Sequence, residues 1–210
     1  WPMYLSFADE VQGKLGSDIY LRYLTYEPTE LELVLDKVID FGDVEKSFAL
    51  FDKLIGLKTG SLDLWMKFID FLMKIDFKEA QVFENLSRSA LKKFPDQTGT
   101  LYVKLATYYI KSHDHLRARQ TFEEGLNFSF TVKDFTVIYD GYTEFEESLI
   151  TRLMEKIQTL EDQGEQADQE TAELDFRLLK FEKLMDQQLF LVNDVKLRQN
   201  QNNVEEWLNR

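Results

Sequence analysis

Trp65-Met-Lys-Phe-Ile-Asp-Phe71, Tyr102-Val-Lys-Leu-Ala-Thr-Tyr108 and Tyr139-Asp-Gly-Tyr-Thr-Glu-Phe145 are three versions of one string, set at a constant spacing of 37 residues. In each, large apolar side chains hold the first, fourth and seventh places: Trp65, Phe68 and Phe71; Tyr102, Leu105 and Tyr108; Tyr139, Tyr142 and Phe145. At 3.6 residues per turn these places share one helical face, which must find partner helices. A self-similarity of this period marks a helix–turn–helix repeat close to a tetratricopeptide hairpin. One hairpin cannot cover its own apolar face, so neighbouring hairpins share a continuous core. The spacing predicts an all-α fold, a right-handed α-solenoid of antiparallel helical hairpins. Trp1-Pro-Met-Tyr-Leu-Ser-Phe7 fits the same string.

Working outward, Tyr20-Leu-Arg-Tyr-Leu-Thr-Tyr-Glu27 matches locally but follows Trp1 by only 19 residues, so it reads as the second helix of the first pair. Glu30 to Asp40 and Asp43 to Ile55 form the next pair, with Gly42 at the turn. Pro95-Asp-Gln-Thr-Gly99 breaks the chain before the pair led by Tyr102, Asp114 is placed to cap the second helix of that pair, and Thr131 or Asp134 caps the helix after it. That helix is long: Phe135, Ile138, Tyr142, Phe145, Leu149, Leu153, Ile157 and Leu160 recur in steps of three and four. The whole chain, 1–210, is expected to be one array with repeats at about 1–27, 28–56, 61–94, 99–128 and 132–186. Residues 161–173, where Glu161, Asp162, Glu165, Asp168, Glu170 and Glu173 occur without a basic residue around Gly164, are expected to be a mobile acidic loop. Residues 187–203, rich in Asn and Gln, read as a link, and 204–210, with Trp207, as the start of a further repeat. Both ends are expected to be cut through a longer array.

Composition excludes several functions. Lys and Arg number 25 against 38 Asp and Glu, a net charge of −13, which repels a phosphate backbone unless cations gather on one face. No direct nucleic-acid binding is expected. Zero cysteines exclude disulfides, thiolate catalysis and cysteine-ligated zinc, and point to an intracellular protein. No apolar run approaches the roughly 18 to 20 residues that span a bilayer. His113 and His115 are the only histidines, and a spacing of two does not place both on one helical face as a metal pair requires. The acidic pairs Glu123-Glu124 and Glu146-Glu147 point apart on a helix, which suits a solvated or salt-bridged face better than acid–base catalysis. Few cations interleave the aromatic stripe, so core packing is favoured over base stacking. No phosphate-binding glycine loop is present. No catalytic residue, cofactor or metal site is therefore assigned.

The second helix of the Tyr102 repeat reads Ala118-Arg-Gln-Thr-Phe-Glu-Glu-Gly-Leu126. This string and the aromatic one resemble the two signatures of the HAT (half-a-tetratricopeptide) family, scaffolds of RNA-processing assemblies. The resemblance makes Trp1, Trp65, Phe68, Tyr102, Tyr108, Ala118, Arg119, Phe122, Glu123, Tyr139, Tyr142, Phe145 and Trp207 the repeat signature. It implies that Arg119 and Glu123, an i, i+4 pair, tie helices together inside the repeat. Phe130-Thr-Val-Lys-Asp-Phe-Thr-Val-Ile-Tyr-Asp-Gly-Tyr-Thr-Glu-Phe-Glu-Glu-Ser148, the acidic insertion, and Leu191-Val-Asn-Asp-Val-Lys-Leu-Arg-Gln-Asn200 leading to Trp207 resemble the XPA-binding splicing-factor family of the nineteen complex. The sequence departs from that family at two places, where Gln201 replaces a proline and Gln187-Gln188-Leu189-Phe190 replaces a basic-proline step. The resemblance implies a nuclear, non-enzymatic scaffold for other splicing proteins, including another HAT-repeat scaffold. It leaves open a scaffold of messenger-RNA 3′-end formation or ribosomal-RNA processing, and, less in keeping with the repeat spacing, a helical enzyme or lipid-binding fold. In the link, Leu191, Val192, Val195 and Leu197 can pin the chain while Lys196, Arg198, Gln199 and Asn200 satisfy carbonyls or carboxylates on a neighbouring helix or a partner.

Overall fold

A computed structural model describes residues 1–57, 60–75, 77–164 and 166–208. Among them the regular structure is helical throughout: α1 (Pro2–Val11), α2 (Gly13–Tyr26), α3 (Leu31–Asp40), α4 (Val44–Gly56), α5 (Leu62–Lys74), α6 (Ala80–Lys93), α7 (Thr98–Lys111), α8 (His115–Phe128), α9 (Val132–Asp162), α10 (Asp168–Asp186), α11 (Gln188–Gln199) and α12 (Val204–Leu208). Short polar caps set the starts. Asp43 accepts from the Lys46 amide at 3.3 Å, Ser61 from Leu64 at 3.4 Å, Asp114 from Arg117 at 3.1 Å and Thr131 from Asp134 at 3.0 Å. Each satisfies an amide that the first turn leaves without a carbonyl. Pro28 and Pro95 open single 3₁₀ turns that lead into α3 and α7.

The chain divides into two compact units, Trp1–Leu86 and Ser87–Arg210. In the first, α2 packs on α1 and α3, and α3 on α4 and α5. Its centre is aromatic: Phe51 of α4 stacks on Phe68 of α5 at 4.1 Å between ring centroids and meets Trp65 edge-on at 4.7 Å, while Phe48 closes on Phe68 at 5.3 Å. Burying these rings supplies both area and specific ring geometry.

In the second unit α7 packs on α8 and α9, α8 on α9, and α10 and α11 both on α9. Phe122 of α8 stacks on Tyr142 of α9 at 5.3 Å and lies near Phe145. Leu101, Leu105, Ala106, Ala118, Phe122, Phe135 and Ile138 are almost wholly removed from solvent. Helices α7 and α9 approach so closely at their first turns that a Cβ on Gly99 would lie 2.8 Å from the Asp134 Cα, and only glycine fits there. The same approach lets the Gly99 amide donate to Asp134 Oδ1 at 3.1 Å, while the Thr131 hydroxyl donates to Oδ2 at 2.6 Å. One buried carboxylate thus serves two helix starts, where the positive ends of both dipoles meet it.

Two expectations are corrected. The acidic stretch 161–173 is mostly helix: α9 runs to Asp162 and α10 begins at Asp168, so the break is confined to 163–167, with Gly164 turning the chain at φ +75°. Asp168 and Glu170 occupy the first turn of α10, where the dipole favours carboxylates, and Glu170 takes an ion pair from Lys156 at 2.9 Å. Glu165 lies outside the described residues. The link 187–203 is likewise occupied by α11, whose Asn193, Val195 and Leu197 are buried. With no proline at Gln187 or Gln188, the backbone is free to be helical from there to Gln199.

Trp65, Tyr102 and Tyr139 are all buried within their own units. Replacing Tyr102 with Ala is expected to cost about 3–5 kcal/mol in urea unfolding, and Tyr102→Phe only about 1 kcal/mol, since it loses a single hydrogen bond to Glu124. A loss below about 1 kcal/mol for the alanine variant would contradict a packed role for this ring.

Candidate functional site

The second unit holds the candidate site, a groove of about 320 Å³ framed by α8, α9, α10 and α11. The amphipathic pattern of α8 buries Ala118, Thr121, Phe122 and Gly125, leaving Arg119 and Glu123 at the boundary with solvent. From there Arg119 reaches across to α9. Its Nε donates to Glu146 Oε1 at 2.6 Å and its Nη2 to Oε2 at 3.0 Å, a bidentate pair with a nearly buried carboxylate. The hydrogen bonds to Glu146 hold the guanidinium pKa above its ordinary value.

Arg119 and Glu123 each tie α8 to α9, but through separate partners and not as an i, i+4 pair, because Glu146 offers Arg119 two oxygens from a buried position. Glu123 instead accepts a hydrogen bond from the Tyr142 hydroxyl at 3.3 Å. Burial, then the charges of Glu146 and Glu123, raise the Tyr142 pKa, so this ring stays a neutral donor. A comparable arrangement joins α6 and α7 to α8: Arg88 donates twice to Glu124, at 2.9 and 3.2 Å, and the Tyr102 hydroxyl donates to the same Oε1 at 3.2 Å. Burial first, and Glu124 second, push the Tyr102 pKa up to about 12.

Leu126 and Leu184 form the groove floor with Phe181 and Leu191, and Lys180, Lys183, Asn127 and Gln187 stand at its edge. Glu146 fills the place after Phe145 at the end of the aromatic string, so its neighbourhood was marked in the sequence, but its crossing to Arg119 was not. Lys180 and Lys183 carry no sequence signal beyond a charged face on α10.

The four side chains expected to meet a neighbour or a partner separate. Arg198 is committed inside the chain: its Nη1 donates to the carbonyls of Asn127 and Ser129, both at 2.7 Å, and both terminal nitrogens approach that of Leu126 at 3.3 Å. Those carbonyls end α8, where the helix leaves acceptors unpaired and the dipole favours a cation. Lys196 pairs with Glu206 of α12 at 2.9 Å, Asn200 accepts from the Asn202 amide at 3.1 Å, and Gln199 is exposed. Trp207 donates from its indole to the Gln201 carbonyl at 2.9 Å and stays half-exposed.

The remaining signature residues sit in the core, except Trp1, which is exposed beside Tyr4, Tyr23 and Tyr26. His113 adopts φ +59° in the turn before α8, and its ring lies 6.4 Å from that of His115. Among the described residues no three His, Asp or Glu side chains converge to hold a metal, and no helix is long and apolar enough to cross a membrane.

A family model described as the pre-mRNA-splicing factor SYF1 middle HAT repeat matches residues 52–210. Pre-mRNA-splicing factor SYF1 of Debaryomyces hansenii is 39% identical over the whole chain, which covers 28% of that protein. Pre-mRNA-splicing factor cwf3 of Schizosaccharomyces pombe is 31% identical over the whole chain and 27% of its own length, and the syf1 homolog of Drosophila melanogaster 32% identical over the whole chain and 24% of its length. The chain thus spans about a quarter of the length of the curated relatives it matches.

Two outcomes follow from the site. Arg119→Ala, which strands the Glu146 carboxylate, is expected to cost about 3 kcal/mol in denaturant unfolding, and Arg119→Met with Glu146→Leu to recover most of that. A single variant as stable as the parent would mean that the pair is solvated. His115 packs near Phe145, and burial, then the charges of His113, Arg152, Arg177 and Arg119, hold its pKa below the ordinary value. The unfolded chain then binds the proton more readily, so this contribution is complete above about pH 6.5 and is lost as pH falls below it. His115→Gln should flatten that part of the stability profile, and an unchanged slope would assign the effect to carboxylates.

Proposed function

This chain belongs to the SYF1 family of pre-mRNA-splicing factors, in its middle HAT-repeat region, and on that premise we propose that it is a non-enzymatic protein–protein scaffold working in pre-mRNA splicing in the nucleus. The observation that carries the reading is the family match over 52–210. In this reading the helix pairs at 1–27, 28–56, 61–94, 99–128 and 132–186 are successive HAT repeats, and 204–210 opens another. The repeats display short surfaces in fixed order, so that several weak contacts to proteins of the nineteen complex, including another HAT-repeat scaffold, act together as one strong one.

The chemistry of the groove supports a binding rather than a catalytic role. Its buried carboxylate is neutralised by Arg119 and its tyrosine is held protonated, so neither is free to act as a base. Arg198, Lys196 and Asn193 fasten α11 and α12 to the rest of the second unit, giving the end of this region a defined direction. We read Gln199 and Asn200, at the exposed end of α11, as the side chains of that segment left for a partner.

The test is affinity purification of the full-length protein from nuclear extract with crosslinking mass spectrometry. Splicing proteins should be recovered, with crosslinks from this region to at least one of them. Recovery of 3′-end-formation or ribosomal-RNA-processing factors in their place would move the scaffold to another assembly.

A further inference from the structure

We infer that the groove framed by α8, α9, α10 and α11 is a docking site for a short acidic, amphipathic peptide segment of a partner protein, an inference that rests on the scaffold reading. The groove reverses the sign of the molecule around it. The chain carries −13, yet the lining holds Arg119, Lys180 and Lys183 against only Glu123 and Glu146. Of these, Arg119 and Glu146 cancel each other in a bidentate pair. Among the described residues Lys180 and Lys183 are in no ion pair, and the Lys180 ammonium lies 4.5 Å from the centre of the Phe176 ring. Two ammonium groups on an otherwise acidic surface draw carboxylates and repel basic partners, which sets both encounter rate and selectivity.

The floor adds the apolar half of the recognition. Leu126, Phe181, Leu184 and Leu191 offer a strip that a few leucine-like side chains can cover, and exposed Asn127 and Gln187 offer amides for a peptide backbone. Lys180, Leu184 and Gln187 follow one another along α10 over two turns, about 10 Å. With the groove volume of about 320 Å³, that length suits a segment of one or two helical turns rather than a folded domain. A nucleic acid fits less well, because two lysines are too few to neutralise a run of phosphates and the apolar strip of Leu126, Phe181, Leu184 and Leu191 offers a sugar–phosphate backbone nothing to bind.

Fluorescence anisotropy of three labelled amphipathic peptides tests this, the three sharing one set of leucines and differing only in whether Glu, Gln or Lys fills the polar positions. At low salt the Glu peptide should bind the chain about tenfold more tightly than the other two, and lose that margin as salt rises toward about 0.5 M. K180E/K183E should weaken it about tenfold, whereas K92E/K133E, the same charge change at two exposed lysines that do not line the groove, should weaken it less than about twofold. Thermal melts by circular dichroism establish that both variants fold. The proposal is overturned if the Gln peptide binds as well as the Glu peptide, if the two double variants behave alike, if the Glu peptide does not bind, or if single-stranded RNA binds the groove more tightly. Should the peptides fail while splicing proteins still copurify with full-length K180E/K183E, the groove is refuted and the scaffold stands.

Discussion

Covering the aromatic face of one helix by the second helix of the pair before it is the constraint on which the rest of this structure depends. Phe51 and Phe48 of α4 lie on Trp65 and Phe68 of α5, and Phe122 of α8 lies on Tyr142 and Phe145 of α9. A fold of this kind gains stability pair by pair along the chain, so a lost ring is felt first in the next pair.

Polar contacts then fix how the covered faces meet. Ring stacking tolerates some rotation of one helix against another, whereas a bidentate guanidinium–carboxylate pair does not. Arg88 to Glu124 and Arg119 to Glu146 each join a helix to a later one, and in both cases a tyrosine hydroxyl completes the arrangement nearby. Asp134 performs the same service at the first turns of α7 and α9, where Gly99 permits the approach. The cost of desolvating these charges is offset only because every oxygen finds a donor. That requirement makes such contacts better at specifying one geometry than at adding net stability.

The sequence made the long-range order legible because it repeats: Trp65, Tyr102 and Tyr139 announce equivalent helices, and Asp114 and Thr131 announce where two others begin. It was less informative where one residue type serves two purposes. A run of carboxylates reads as a repelled, solvated loop, yet Asp168 and Glu170 are the residues that a helix start favours, and Lys156 lies near enough in space to neutralise one of them. Glutamines in place of prolines left α11 free to form where a link was expected. The partner of Arg119 is hidden from the sequence for a geometric reason. Local spacing offers Glu123 at i+4, but a residue 27 positions on presents both oxygens from a buried site, and no local rule reveals that.

Arg198 shows how a segment between repeats acquires a fixed path without repeat geometry. The end of α8 leaves carbonyls pointing at the α8–α9 turn, and a lysine placed there would supply one compact charge. A guanidinium supplies a planar set of donors, and Arg198 spends them on three carbonyls from Leu126 to Ser129. The contact joins residues about 70 positions apart, so it requires both the end of α8 and the placement of α11 by buried Val195 and Leu197. The direction of α11, and of α12 held to it through Asn193, is thus conditional on the repeat before it being complete. In a scaffold that coupling ties the placement of one binding surface to the integrity of its neighbour, which a flexible linker of equal length cannot do.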